Sequence, residues 1–417
     1  MSIVDYLVMY SLIIIWITVF MNVVLVISGY VYYSKINKEK MDEQLEEYPF
    51  VSILVPAHNE GVVIRKTVIS LLELDYPKDK YEIIVVNDNS SDNSAEILQE
   101  MQKVHKERNL IVINTDNIIG GKGKSNALNI GLGKSKGKVL AVYDADNTPD
   151  KRALKYLVQT LVKDESLGSV IGKFRCRNKE RNLLTNFINI ETLTYQWMAQ
   201  AGRWNLLKLC TIPGTNFVVR REIMEGMGGW DTKAITEDTE VSFRIYRMGY
   251  KIKFMPLAVT YEQEPQTVKV WFRQRNRWVK GNIYVVIKNL KYLFSSKADV
   301  TRFDILYYTL VYFFFLSASV ISDTIFILGG ANLIQIHIGG YEAILWLMAL
   351  LVFILSVMVA ISTEKGELNF KNVLIILLSY FTYCKMWAIV SVAGFYNYLR
   401  DIVFKRETKW YKTERFS

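Results

Sequence analysis

Apolar positions are spread unevenly along this chain. Residues 6–34 carry no charged side chain, and a helix needs only about 20 apolar residues to cross a bilayer. Apolar runs recur near 305–328, 343–362 and 373–399. Between them, from about 48 to 300, apolar and polar positions alternate with shorter periods. The pattern predicts one large soluble domain set between membrane helices. Inside that domain "FVSILVPAHNE" reads as a buried strand running into a polar loop, and "VIRKTVISLLEL" has helical periodicity. "YEIIVVNDNSSDNS" is again a strand with an acidic end, followed by the amphipathic "SAEILQEMQKVHKE". "NLIVINTD" and "KVLAVYDADN" read as third and fourth strands around a helix in "KSNALNIGLGKS". Strands alternating with helices predict βαβ units and a mainly parallel sheet. Ligands of such sheets bind at the carboxyl ends of the strands. Asn59, Glu60, Asp88, Asp144 and Asp146 fall there, so a single site assembled from distant segments is expected.

Charge refines this picture. The chain has 51 Lys plus Arg against 41 Asp plus Glu, a formal net charge of +10. No nucleic-acid motif accompanies the excess, so basic flanks of membrane segments meeting anionic lipid are the simpler reading. The first apolar run is too long for a cleaved signal, starts with Asp5 and lacks a clear cleavage site, which predicts an uncleaved anchor. Lys35, Lys38 and Lys40 follow it and put the soluble domain in the cytoplasm of a multi-pass plasma-membrane protein. Cys176, Cys210 and Cys384 have neither metal nor disulfide spacing, in keeping with a reducing compartment. One conflict remains. The loop 331–341 has no Lys or Arg and belongs outside; the loop 363–371 has mixed charge and fits inside. Three later spans would then leave the basic tail "RDIVFKRETKWYKTERF" outside, against the positive-inside rule. Lys385, in the middle of the last apolar run, makes that run the suspect. It is either a functional residue at membrane depth or the mark of an interfacial helix boundary.

The acids pose a chemical question. Asp144 and Asp146 end an apolar strand, where two close carboxylates repel and are costly to bury. Two hard oxygen ligands beside an open face suit Mg²⁺ or Mn²⁺ shared with substrate phosphates. A turn with two solvated aspartates is the bland alternative, and the place of the pair in the βαβ series favours the ion. Asp88 is suited to a nucleobase or ribose, or to a turn and cap in "NSSDNS". Lys124 is suited to phosphate, or to solvent. Thr236, Glu237 and Asp238 precede a helix, where acids are ordinary caps; one of them could instead be a general base. Gln274, Arg277 and Trp278 lie on an amphipathic helix that fits a membrane surface, or an acceptor and a leaving group. No G-x-G-x-x-G follows the first strand, and "GGKGKSN" lacks the P-loop spacing, so a dinucleotide fold and a P-loop ATPase are both disfavoured.

Taken in order, Asp88, Asp144-x-Asp146, Thr236-Glu237-Asp238 and Gln274-x-x-Arg277-Trp278 resemble the D, D-x-D, T/E-D and Q-x-x-R-W signature of processive family 2 glycosyltransferases. These include bacterial cellulose, hyaluronan and poly-N-acetylglucosamine synthases. "PAHNE", "GKSNALN" and "PGTNFVVRRE" look like their common blocks, and the resemblance covers about residues 50–281. Asn87 stands where many members have a first Asp, and His58 where Tyr is usual. The resemblance implies an α/β GT-A cytosolic domain with flanking transmembrane helices. Its parts are an anchor and linker (1–47), the transferase domain (48–266), the Q-x-x-R-W and interfacial helices (267–300), and C-terminal membrane helices with a basic tail (301–417). It also implies a UDP-sugar donor, Mg²⁺ or Mn²⁺, and inversion. Residue by residue, Asp88 would take the uridine side, with Pro56, Asn59 and Glu60 nearby. Lys124 would lie near the phosphates, and Asp144 and Asp146 would handle diphosphate and metal. Asp238 would be the base, beside Glu237, and Gln274, Arg277 and Trp278 would hold acceptor and leaving group. Size and layout are most similar to the poly-N-acetylglucosamine synthases of Gram-positive biofilm formers. A glucose polymer, a single addition to a membrane lipid and an inert scaffold are the alternatives. The acceptor is a growing glycan or a lipid. Any regulation would call for a partner subunit.

Overall fold

The computed structural model describes residues 2–38, 45–294, 301–337, 342–404 and 413–415. Lys40, the end of the loop 331–341 and most of the basic tail lie outside the described residues. Eight strands form one sheet: β1 Val51–Ala57, β2 Tyr81–Asp88, β3 Leu110–Thr115, β4 Val139–Val142, β5 Thr148–Pro149, β6 Leu167–Cys176, β7 Phe217–Arg220 and β8 Lys251–Glu262. Their order across the sheet is β3-β2-β1-β4-β7-β6-β8-β5. The first four are parallel, as their alternation with helices predicts. β2 is buried along its whole length and β1 nearly so, which is why both read as continuous Val/Ile runs rather than as alternating ones.

The sheet is mixed rather than mainly parallel. β7 runs antiparallel to β4 and β6, with Val142 opposite Phe217. The cause is local: Thr215, just before β7, sits at the carboxyl end of β4, where its Oγ accepts the Asp144 backbone N–H at 2.9 Å. A strand that starts at that end can only run back down the sheet. β8 returns parallel to β6, and β5 pairs antiparallel with β8.

Among the described residues, four helical segments are long and apolar enough to cross a membrane: Ile3–Ile36, Thr301–Gly330, Ala343–Ser362 and Phe370–Val403. The first is capped by Ser2 and Asp5, which exchange backbone hydrogen bonds. It crosses the domain closely at Gly29 and Gly202, where a Cβ would fall 1.9 Å from the Trp197 carbonyl oxygen and 2.2 Å from that of Leu25. The second is fastened through Asp304 to Arg203 at 2.6 Å, both side chains 1% exposed. Arg203→Leu would strand the buried Asp304 carboxylate. The expected loss is about 3–5 kcal/mol of stability, read by denaturant unfolding in detergent.

The fourth segment, the one the charge pattern makes suspect, is not one continuous helix. It is two helices, Phe370–Phe381 and Tyr383–Val403, broken at Thr382 (φ −123°, ψ −74°). Twelve residues rise only about 18 Å, short of a bilayer core of about 30 Å. Both ends are tied to the part of the chain that precedes the later apolar segments: Lys371 pairs with Glu180 at 2.6 Å, and Asp401 pairs with Lys280. The preceding loop is held there as well. Glu364 accepts from Lys173 at 2.5 Å and Arg175 at 2.6 Å, and Glu367 from Arg175 at 2.6 Å. Both ends of the segment and the loop before it are thus held by charged residues of that part of the chain, which carries the sheet. Lys385 pairs with Asp323 at 2.5 Å, so the charge that made this run suspect is met by a partner on the neighbouring helix.

Candidate active site

The carboxyl ends of β1, β2 and β4 open into a cleft of about 1160 Å³, mouth included. Pro56, Glu60, Asp88, Lys124, Asp144, Asp146, Glu237, Asp238, Gln274, Arg277 and Trp278 all line it. Segments some 220 residues apart in sequence thus meet in one place.

Asp88 ends β2. Its Oδ1 accepts from Thr115 Oγ at 2.8 Å and from the Gly121 N–H at 2.9 Å. His58 Nδ1 lies 2.6 Å from the Asp88 carbonyl oxygen, tying the first two strand ends together. Asn87 pairs with Asn114 at 2.8 Å. Asn59 differs from its neighbours. It adopts φ +55°, and its Oδ1 accepts the Ser91 N–H at 2.7 Å and the Asp92 N–H at 3.3 Å. It braces the loop behind Asp88 and is not among the cleft-lining residues.

Lys124 starts the helix Lys124–Lys134 and reaches Asp144 at 2.6 Å, Glu237 at 3.3 Å and the Gly214 carbonyl at 2.7 Å. Burial alone would lower its pKa. Asp144, Glu237 and Asp238 outweigh burial and hold the ammonium well above its ordinary value. Asp146 is 2% exposed and accepts the Gln263 N–H at 3.2 Å. Eight carboxylates line the cleft against Lys124, Arg277 and Arg415. Burial first, then Glu264, Asp146 and Asp144, hold Glu262 well above the usual carboxylate range.

Asp238 is partly open to the cleft, in the first turn of the helix Glu237–Arg247. Its Oδ1 accepts the Thr239 N–H at 2.6 Å. Burial and then Glu237 raise its pKa to about 7, against the lowering effect of Lys124, the Thr239 N–H and Arg277. Gly214 makes room for this carboxylate. It holds φ +88°, and a Cβ there would lie 2.8 Å from Asp238 Oδ2. Gly214→Ala should cost about 1–2 kcal/mol through the left-handed backbone and slow turnover about 10²-fold by displacing Asp238. Steady-state kinetics beside a thermal melt separate the two effects.

The helix Val268–Asn289 closes the opposite wall. Gln274 is buried, and its Oε1 accepts from Arg275 Nη1 at 2.6 Å. Arg277 faces the acidic wall. Burial lowers its pKa while Glu237, Asp238 and Asp144 raise it. Trp278 lies beneath the Arg275 guanidinium, 3.9 Å from ring centroid to Cζ.

Several cleft residues escape a reading by motif. Arg415 lies 3.0 Å from Asp146 Oδ1 and donates to the Gln263 carbonyl at 3.1 Å; Thr413 lines the cleft beside it. In the sequence the tail reads only as positive charge near a membrane, and nothing marks Arg415 as a partner of Asp146. Glu262 and Glu264 are equally unmarked. Arg275 carries a weak signal, since it falls inside the Gln274–Trp278 stretch.

Comparison with known proteins gives the family and the fold. The profile described as "Glycosyltransferase like family 2" matches residues 49–281. A "Probable glycosyltransferase YdaM" of Bacillus subtilis (strain 168) is 46% identical over 409 residues, 98% of this chain and 97% of that one. A "Poly-beta-1,6-N-acetyl-D-glucosamine synthase" of Staphylococcus epidermidis is 30% identical over 277 residues, 65% of each chain. The one from Staphylococcus aureus (strain COL) is 30% identical over 293 residues, 69% of this chain and 68% of that one. Among solved structures, the mannosyltransferase PcManGT from Pyrobaculum calidifontis, in complex with GDP-Man and Mn²⁺, superposes with a TM-score of 0.62. It is 19% identical and covers 94% of this chain and 99% of its own. The shared fold is GT-A, as the motif order implies.

Proposed function

The chain belongs to glycosyltransferase family 2, and we propose that it is a membrane-embedded inverting enzyme polymerising sugar from a UDP-sugar donor, UDP-N-acetylglucosamine first, into an exported β-linked polysaccharide. The observation that carries this reading is the convergence of Asp88, Asp144, Asp146, Asp238, Gln274, Arg277 and Trp278 on one cleft beside helices long enough to cross a membrane. The choice of sugar and of a polymer draws on the staphylococcal relatives, named as poly-N-acetylglucosamine synthases. The soluble domain lies on the cytoplasmic side, where Lys35 lies in the last turn of the first helix and Lys38 follows it.

The donor set fits a divalent ion. Asp144 and Asp146 are hard oxygen ligands, each already paired with a cationic side chain, in a cleft whose carboxylates outnumber its cations. Among the described residues no group of three or more His, Cys, Asp or Glu side chains forms a ligand set by itself. The remaining oxygens would therefore come from the diphosphate. Mn²⁺, present with GDP-Man in the Pyrobaculum enzyme, is the first ion to try, and Mg²⁺ the second. When bound, such an ion supplies positive charge to the departing diphosphate. The rest is the work of this chain. Asp88 receives the uridine side. Lys124 and Arg277 stabilise negative charge as UDP departs. Asp238 takes the proton of the attacking hydroxyl on the face opposite the leaving group, so the anomeric centre inverts. One carboxylate suffices, because UDP leaves without the protonation that a glycosidase must provide.

Export calls for a path that is not wholly apolar. Tyr308, Tyr312 and Asn282 form a polar cluster between helices, with Asn282 donating to the Tyr312 hydroxyl at 2.7 Å. The test is incorporation of label from separate UDP-sugars by the purified protein in detergent with Mn²⁺ or Mg²⁺, products being sized on a gel. A long polymer from one donor supports the proposal and names the sugar. A single labelled lipid replaces it with lipid glycosylation.

A further inference from the structure

Resting on the reading that Gln274 and Trp278 hold the acceptor, we propose that Glu191 and Arg275 are positioning residues that orient this pair and tie it to the membrane hairpin Phe370–Val403. Arg275 is 1% exposed and makes three contacts that matter. Its Nη1 donates to Gln274 Oε1 at 2.6 Å. Its Nη2 donates to Glu191 Oε2 at 2.7 Å. Its Cζ lies over the Trp278 ring, 3.9 Å from the centroid.

Each contact removes a freedom that an acceptor site cannot leave open. A carboxamide can present either its oxygen or its NH₂ group, and the choice follows its hydrogen bonds. With Oε1 given to Arg275, Gln274 turns its NH₂ donors toward the cleft, where they suit a sugar hydroxyl oxygen. A Trp ring can rotate about two torsions, and a flat cation stacked on one face sets its plane. Trp278 stays half-buried and lines the cleft, where it can meet a sugar. Both effects depend on one planar fork, so lysine cannot replace it.

Glu191 holds the fork. It sits on the helix Leu183–Thr194 and accepts from Arg275, from the Tyr383 hydroxyl at 2.7 Å and from Trp387 Nε1 at 2.6 Å. Tyr383 also accepts from Trp271 Nε1 at 2.9 Å. Tyr383 and Trp387 belong to the second helix of the hairpin. The carboxylate is thus the junction of three helices, one from the transferase domain, one bearing Gln274 and Trp278, and one from the membrane. None of these contacts reaches the donor carboxylates Asp144 and Asp146.

The separation from the donor side makes the proposal testable. The full chain, in detergent with Mn²⁺, is given the nucleotide sugar that the unaltered protein turns over and a β-linked oligosaccharide of that sugar. Donor KM, acceptor KM, transfer rate and loss of donor to water are measured. Arg275→Lys and Glu191→Gln are each expected to leave donor KM within two-fold. Acceptor KM should rise five-fold or more, transfer should fall ten-fold or more, and the ratio of hydrolysis to transfer should rise. Acceptor KM and transfer both within two-fold of the parent would overturn the proposal. Parallel loss of donor and acceptor affinity would also overturn it, by marking a general structural role. If Glu191→Gln does not fold, Arg275→Lys decides the matter alone. Trp278→Ala is the control on the underlying reading: an unchanged acceptor KM there removes the acceptor assignment itself. A changed one, with Arg275→Lys silent, removes only the positioning role.

Discussion

Asp238→Asn should lower sugar transfer by about 10²–10⁴-fold, the range for loss of a positioned general base, while UDP binding is retained. The substitution keeps the shape of the side chain and its acceptor for the Thr239 N–H. It removes the ability to take a proton, together with one negative charge facing Lys124 and Arg277. The same residue sets a pH dependence. Burial and Glu237 raise Asp238 to about 7, and Lys124, the Thr239 N–H and Arg277 pull the other way without cancelling the rise. A base must be deprotonated to act, so kcat/KM should fall as pH drops below about 7 and level off above it. A pH–rate profile of the parent, with UDP binding followed at each pH, checks both claims. An Asn variant with parental turnover would remove Asp238 from the mechanism. A flat profile from pH 5 to 8 would remove its role as the titrating base.

Asp146→Asn should be nearly as damaging, for a different reason. Asp146 is buried, fixed by the Gln263 N–H and faced by Arg415. The amide keeps the volume but loses the charge that would hold a divalent ion against the diphosphate. Such an ion supplies several kcal/mol of charge stabilisation, so a drop of about 10³-fold in kcat/KM is expected. Higher Mn²⁺ should recover part of it, and EDTA should silence the parent. Donor binding measured against Mn²⁺ concentration is the check. Metal-independent turnover in the parent would remove Asp144 and Asp146 as ligands.

The two substitutions fail in distinguishable ways. Loss of Asp238 spares the donor and stops the proton, whereas loss of Asp146 weakens the donor and leaves the base in place. The proposed role of Glu191 and Arg275 gives a third pattern, in which the donor is held and water takes the place of the sugar acceptor.

Much of this was legible in the chain itself, for a physical reason. Buried parallel strands need continuous Val and Ile runs, and an amphipathic helix needs apolar residues at its own period. The four parallel strands β1–β4 and the helices between them therefore appear in the residue order. So do the apolar segments, because a bilayer demands length and composition alone. Asp88, Asp144, Asp146, Asp238, Gln274, Arg277 and Trp278 can be singled out in the chain because their residue types suit donor, diphosphate and acceptor chemistry, and the fold brings them to one cleft. What only the tertiary structure decided is what depends on meeting across space. β7 runs backward because Thr215 packs at the end of β4. The segment Phe370–Val403 breaks at Thr382, and its two ends find ionic partners on the part of the chain that precedes the later apolar segments. Asn59 braces a loop, which its residue type leaves open. Glu191, Arg275 and Arg415 are ordinary charges in one dimension. Glu191 meets Arg275 across 84 residues and Arg415 meets Asp146 across 269, and hydropathy, periodicity and local spacing carry no information about contacts at that range.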